Sequence, residues 1–201
     1  WADSIIIDGY DEEKETYVNY GVDINSRDVF VKNIIVQNFF NGIRSIFGYN
    51  IFQNCIARNC RNAGIMTSTG DSFIRCVFYK NGRSGLYPYM TSASINKVEY
   101  CEFYENKYGI DYNIDVKYIK WSNFLDNVIG LIVNGVEEEI SNCVISGNDS
   151  IGLLNNGYIP KVSDNIIGLS ADQRTAYPNG IGLYHSGTSK NGKIESFTNN
   201  V

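Results

Sequence analysis

The residues best suited to chemistry lie in the middle of the chain. Tyr87 and Tyr89 stand two apart, and Asp111, Asn113 and Asp115 follow with the same alternation. Alternate side chains of an extended strand share a face, so the spacing predicts an aromatic pair on one strand and three polar acceptors on the next. Flat rings cover the apolar faces of sugars while amides and carboxylates fix their hydroxyls, which is what an oligosaccharide site requires. Two carboxylates at suitable separation also act as acid and base in glycoside hydrolysis. Asp111 and Asp115 are therefore the expected catalytic pair, with Tyr87, Tyr89, Asn113 and Arg44 as the expected substrate-binding residues. The competing reading of the same residues is a solvated face, which needs polar side chains in any case.

Other chemistries find little support. Asp111-x-Asn113-x-Asp115 begins like a calcium loop, but Val116 stands where the loop needs glycine and Ser122 where it needs glutamate, so an EF-hand is excluded. No CxxC pair is present, which argues against zinc. No nucleophile elbow, P-loop or dinucleotide fingerprint occurs, because the glycines stand singly. The lone histidine, His185, reads as structural, and Asn148-Asp149-Ser150 reads as a corner rather than a glycosylation site. No cofactor and no metal are expected.

The elements that must position these residues are announced by a repeat. Asn106, Asn127 and Asn148 are 21 residues apart, each followed by a glycine and a branched aliphatic (Gly109-Ile110, Gly130-Leu131, Gly152-Leu153). The glycine series runs Gly21, Gly42, Gly64, Gly85, Gly109, Gly130, Gly152 and, after an insertion, Gly182. The asparagine series is read as Asn38, Asn59, Asn81, Asn106, Asn127 and Asn148. One core series is read as Phe30, Ile51, Phe73, Val98, Ile119 and Ile140, and a second as Ile35, Ile56, Phe78, Phe103, Phe124 and Ile145. Cys76, Cys101 and Cys143 share a small position with Asn33 and Asn54, which makes them stacked core residues. A period of this length with apolar anchors in register is the mark of a solenoid. Hydrophobic alternation within each repeat has period two, over pieces of three to five residues. The 25 asparagines concentrate beside these pieces, where a residue that tolerates the left-handed conformation suits sharp corners. The fold class predicted is all-β: a coil of about eight rungs forming three parallel sheets.

Composition sets the outer limits. The chain has 201 residues with 22 Asp and Glu against 17 Lys and Arg, an acidic balance that argues against nucleic acid as a partner. No apolar run approaches the roughly 20 residues of a membrane span. Residues 1–201 are expected to form a single domain that is a fragment of a longer chain. Residues 10–19 (YDEEKETYVN) break the period as an exposed excursion, and residues 168–180 form an insertion loop.

The run Asn-x-(Ile/Phe)-x-x-Asn-x-x-x-Gly-Ile resembles the repeat of the right-handed parallel β-helix, pectin-lyase-like superfamily, over nearly the whole chain. The segment NIIGLSADQRTAYPNGIGL (residues 165–183) looks like a loop-bearing rung of that repeat. The resemblance implies a polysaccharide lyase, glycoside hydrolase, epimerase or phage tailspike, with substrate lying along the sheet opened by the glycines. The paired-aspartate, Gly-His-Gly and Asp-Pro-His signatures of the enzyme branches are missing.

A second surface points to assembly. On the third sheet the outward residues are read as Ile34/Val36, Cys55/Ala57, Val77/Tyr79, Glu102/Tyr104, Asn123/Leu125 and Val144/Ser146, an aliphatic stripe of the kind that marks an interface. Together with the resemblance, it predicts a homotrimeric phage tailspike or tail appendage, on a virion tail or otherwise extracellular, that binds and cleaves cell-surface polysaccharide. The alternatives are a secreted or cell-surface adhesive module without catalysis, and a monomeric secreted lyase or hydrolase.

Overall fold

The computed structural model describes residues 4–11, 16–186 and 193–201. Among these residues there is no helix, and none therefore long and apolar enough to cross a membrane. The chain coils into three sheets of eight parallel strands each. The first sheet holds the strands opened by the glycine series, from Tyr20–Ile24 to Ile181–His185. The second runs from Phe30–Lys32 to Ile194–Thr198, and the third from Ile5–Asp8 to Ile166–Ile167. This is the predicted all-β solenoid.

Each column of the repeat does a distinct physical job. Phe103 pairs in register with Phe78 and Phe124, and the rings stack with centroids 4.8 Å apart on either side. Parallel strands impose a spacing of about 4.8 Å, so the aromatic column packs at the pitch of the backbone itself. Val98, Ile119 and Ile140 fill the second sheet's inner face, and Ile65, Leu86, Ile110, Leu131 and Leu153 the first sheet's; all are fully buried. The glycines exist because backbones touch. A Cβ on Gly42, Gly85, Gly130 or Gly152 would come 2.5–2.7 Å from the carbonyl oxygen of the next glycine in the column.

Corners are closed by side-chain amides. Asn81, Asn106, Asn127, Asn148 and Asn179 form a buried ladder in which each backbone N–H and each amide NH₂ donates to the side-chain oxygen of the next. The amide groups also donate to strand carbonyls, Asn127 to that of Phe103 and Asn148 to that of Phe124. The thiols of Cys55, Cys76, Cys101 and Cys143 occupy another corner column, free and buried, and burial pushes Cys143 up to about 12.

The register of the first rungs differs from the expectation by one residue. Val31 and Phe52, not Phe30 and Ile51, align with Phe73; Val36 and Ala57, not Ile35 and Ile56, align with Phe78. Phe30 and Ile51 are exposed. The cause is that two consecutive corner positions both favour asparagine. Asn38 and Asn59 take the left-handed position, at φ 61° and 53°, together with Lys80, Glu105 and Asp126. The ladder position one residue later holds Phe39 and Cys60 in these rungs, and the Cys60 N–H bonds the Asn81 side chain. The same slip separates Asn33 and Asn54 from the cysteine column: they match Arg75, Tyr100 and Asn142, the left-handed residues that precede Cys76, Cys101 and Cys143. Of the 10–19 excursion, Tyr10–Asp11 and Thr16–Tyr17 pair as an antiparallel ribbon; residues 12–15 lie outside the described residues.

Candidate functional site: a first-sheet face and a corner trough

On the first sheet Asp23, Arg44, Met66 and Tyr87 are cross-strand neighbours. Arg44 donates from Nε to Asp23 at 2.9 Å and from a second nitrogen to the other carboxylate oxygen. These hydrogen bonds hold the Asp23 carboxyl below its usual range. The Arg44 guanidinium lies 4.1 Å from the Tyr20 ring centroid and 5.8 Å from that of Tyr89. Two rungs on, Arg83 sits 4.3 Å from the Tyr87 centroid and donates to Asp111 at 2.7 Å. Both tyrosines thus have a guanidinium against them.

The structure does not bring Asp111 and Asp115 onto one face. The first-sheet strand Tyr108–Ile110 ends before Asp111, the chain turns through Tyr112 and Asn113 (φ 61°), and Asp115 belongs to the second-sheet strand Ile114–Lys120. Asp111 is fully buried, its oxygens taken by Arg83 and by the Tyr112 N–H at 2.7 Å. Asp115 is exposed across the corner. The alternation that suggested a common face is broken by this left-handed corner, and with it the expected acid–base pair.

What Asp115 does line is a trough along the corner between the first and second sheets. One hollow of 460 Å³ is lined by Ser94, Asp115, Asn134, Gly135, Val136, Glu137, Asn156, Gly157 and Tyr158. A second of 300 Å³ shares Ser94 and Glu137 and continues past Asn96, Lys117, Thr69 and Gly70 to Tyr49. From Tyr49 to Tyr158 the trough crosses six rungs, or roughly 24 Å at strand spacing. At Gly157 its lining is glycine by necessity, since a Cβ there would collide with the Asn134 carbonyl. One rim is a second amide ladder: Asn134 donates to Asn113 at 3.1 Å, Asn156 to Asn134 at 3.4 Å, and Ser186 to Asn156 at 2.6 Å. Pairing of the two long second-sheet strands shifts here, with Val116 opposite Val136 but Tyr118 opposite Glu139. This bulge adds one residue and directs Glu137 to the trough; bulges commonly re-aim a side chain in this way. Burial, and then the charge of Glu137, raise the Asp115 carboxyl above its usual value.

The third sheet's outer face is more closed than its sequence implies. In the first rungs Val36, Cys55 and Ala57 are buried, and the outward residues are Ile35/Gln37 and Ile56/Arg58. Further along, residues 168–180 fold back: the Gly147 N–H donates to the Tyr177 carbonyl at 2.9 Å, and the Tyr177 hydroxyl bonds Asp126. The loop residues Leu169, Ser170, Ala171 and Tyr177 enclose, with Asn123, Leu125 and Val144, a 180 Å³ hollow. Part of the presumed interface is therefore covered by this chain's own loop. The aliphatic row left open is Ile6, Ile35, Ile56 and Val77. His185 is exposed at the end of its strand, 3.2 Å from the Asn155 amide.

Sequence reasoning missed Arg83, Glu137 and Tyr158. Arg83 stands two residues before a series glycine, and only the fold shows that its side chain reaches the next rung. Glu137 opens an acidic run (Glu137, Glu138, Glu139) that a one-residue excess in the repeat marks as irregular.

Comparison with known proteins adds the following. The family described as "Right handed beta helix region" matches residues 15–137. The crystal structure of pectate lyase Pel9A is similar in fold, with a TM-score of 0.49 and 17% sequence identity, covering 91% of this chain and 61% of that one. The chain thus spans about three-fifths of the length of that structure. No curated protein matches the chain.

Proposed function

This chain belongs to the right-handed β-helix family, and from that premise we propose that it binds a polysaccharide chain lengthwise in the corner trough. The observation that carries this reading is the trough itself. It is a long hollow with glycines in its lining, a rim of side-chain amides and a tyrosine at each end, running along the backbone ladder. Amides offer donor and acceptor together and so match hydroxyls of either role. The first-sheet residues Arg44, Tyr87, Tyr89 and Asp111 flank this site as a pre-paired surface, whereas Asp115 lines it and Asn113 bonds the lining residue Asn134. Within this reading the protein is the shaft of a phage tailspike or tail appendage, extracellular and homotrimeric. The open row Ile6, Ile35, Ile56 and Val77 is the face that meets the other subunits.

Two experiments test this. Oligosaccharide binding should fall at least tenfold in Tyr158→Ala, a loss of the size expected for an aromatic anchor, and stay within about twofold in Tyr87→Ala. The reverse ranking moves the site to the first-sheet face. Light scattering should report a trimer that Ile35→Asp with Ile56→Asp dissociates, since unpaired charges are costly to bury. A monomeric parent protein removes the tailspike reading and leaves the adhesive or monomeric enzyme alternatives.

A further inference from the structure

The charge lining the trough is unbalanced. Lys117 is ion-paired with Glu138 at 3.4 Å, and Lys193, whose ammonium lies 5.9 Å from the Tyr158 ring, with Glu195 at 2.8 Å. Those pairs neutralise themselves. Among the described residues, Asp115 and Glu137 have no ion-pair partner, although both line the same hollow. Other carboxylates on the first and second sheets are matched: Asp23 by Arg44, Asp111 by Arg83, and Glu139 by Lys120 and Lys161. The trough therefore presents two uncompensated negative charges at the midpoint of its length.

Charge of that sign selects among polysaccharides by exclusion. A uronic-acid polymer carries a carboxylate on every sugar, so a chain threading the trough would set several of its charges beside Asp115 and Glu137. The charges would stand within a Debye length of one another, so the repulsion is felt at low salt and weakens as salt rises. An uncharged glycan meets no such penalty, and the two carboxylates accept hydrogen bonds from its hydroxyls, bonds stronger than those between neutral groups. Discrimination by a repulsive element is as effective as discrimination by an added contact.

Resting on the polysaccharide-binding reading above, we propose that the corner trough takes a chain of uncharged sugars and rejects polyuronates, with Asp115 and Glu137 as the residues that set this specificity. The experiment is calorimetric binding to the full chain, at low and at high salt, of hexasaccharides from neutral β-glucan, mannan and galactan and of oligogalacturonate of the same length. The double variant Asp115→Asn, Glu137→Gln is measured beside the parent. It removes unpaired charge, so its β-sheet circular dichroism should match the parent's.

The parent should bind at least one neutral hexasaccharide and should bind oligogalacturonate about tenfold more weakly or not at all. In the double variant, oligogalacturonate binding should rise about tenfold, and the parent's discrimination should narrow at high salt as screening grows. Oligogalacturonate bound by the parent as well as the neutral chains, and unchanged in the double variant, overturns the specificity while leaving the binding reading in place. Absence of binding by every glycan overturns both.

Discussion

Two asparagine ladders run along this solenoid, one rung at a time, and they differ in a single respect that decides what each is for. In the inner ladder Asn127 is fully buried. It donates to the Phe103 carbonyl at 2.9 Å and the Leu125 carbonyl at 3.0 Å, and accepts from both the backbone and the amide of Asn106 at 3.1 Å. In the outer ladder Asn134 is half-exposed, gives one bond to Asn113 and receives one from Asn156. The inner amides satisfy backbone groups that water cannot reach. The outer amides bond mainly one another, and water or a ligand can replace each of those bonds. Identical residues at an identical repeat are thus structural on one corner and available for recognition on another.

The sharpest way to break this comparison is to change charge without changing shape. Asn127→Asp turns an amide donor into an acceptor-only carboxylate, facing two carbonyls it can no longer bond. A buried charge left unpaired costs about 3–5 kcal/mol, so urea unfolding should show a loss of that order or no folded protein. Asn127→Ala takes the acceptor from the buried Asn106 backbone N–H and side-chain amide without introducing a charge. At about 1–3 kcal/mol for a buried polar group left unsatisfied, a total near 3 kcal/mol is expected. A melting temperature within a degree of the parent's in either variant would show that the inner ladder is dispensable and that the two corners do not differ.

How much of this was legible beforehand follows from what periodicity can and cannot carry. The Phe78, Phe103 and Phe124 column and the glycine column were readable because a stacked core and a backbone contact recur at every rung. The first-rung register was not, because Asn38 and Asn59 look like ladder residues while occupying the left-handed position beside it. Asp111 and Asp115 looked coplanar because the corner at Tyr112 and Asn113 contains neither glycine nor proline to announce it. The trough depends on a bulge, and a bulge is visible only in how strands pair. The fold-back of residues 168–180 onto Leu125 and Val144 likewise depends on Tyr177 finding Asp126, 51 positions away.

On the outer corner the expected effect is on binding rather than on folding. Asn134→Ala removes hydrogen bonds to groups that solvent already reaches, so its stability should change by no more than about 0.5 kcal/mol. Its affinity for the trough's glycan should nevertheless fall several-fold, because the rim loses a donor and an acceptor together. A destabilisation as large as that of Asn127→Ala would make the outer ladder structural too, and the comparison would collapse.

The smallest effect has the opposite sign. Asp115 has its carboxyl raised above the ordinary 3.8, first by burial and then by the Glu137 charge. A raised acid binds its proton more tightly in the folded chain than in the unfolded one. Between the two values the folded state holds more protons, and stability declines as pH climbs through that window. Above the window the penalty is fully present; below the unfolded value it is absent. Asp115→Asn removes the ionisable group, so at pH 7 the variant should melt slightly higher than the parent, by about 1 °C given the exposure of the site. At pH 3 the two should melt together. A residue kept for packing behaves otherwise, and a variant that melts lower than the parent at pH 7 would show Asp115 holding the corner together. A gain at pH 7 that vanishes at pH 3 marks a charge retained at a cost to the fold, which is how a recognition site differs from a ladder.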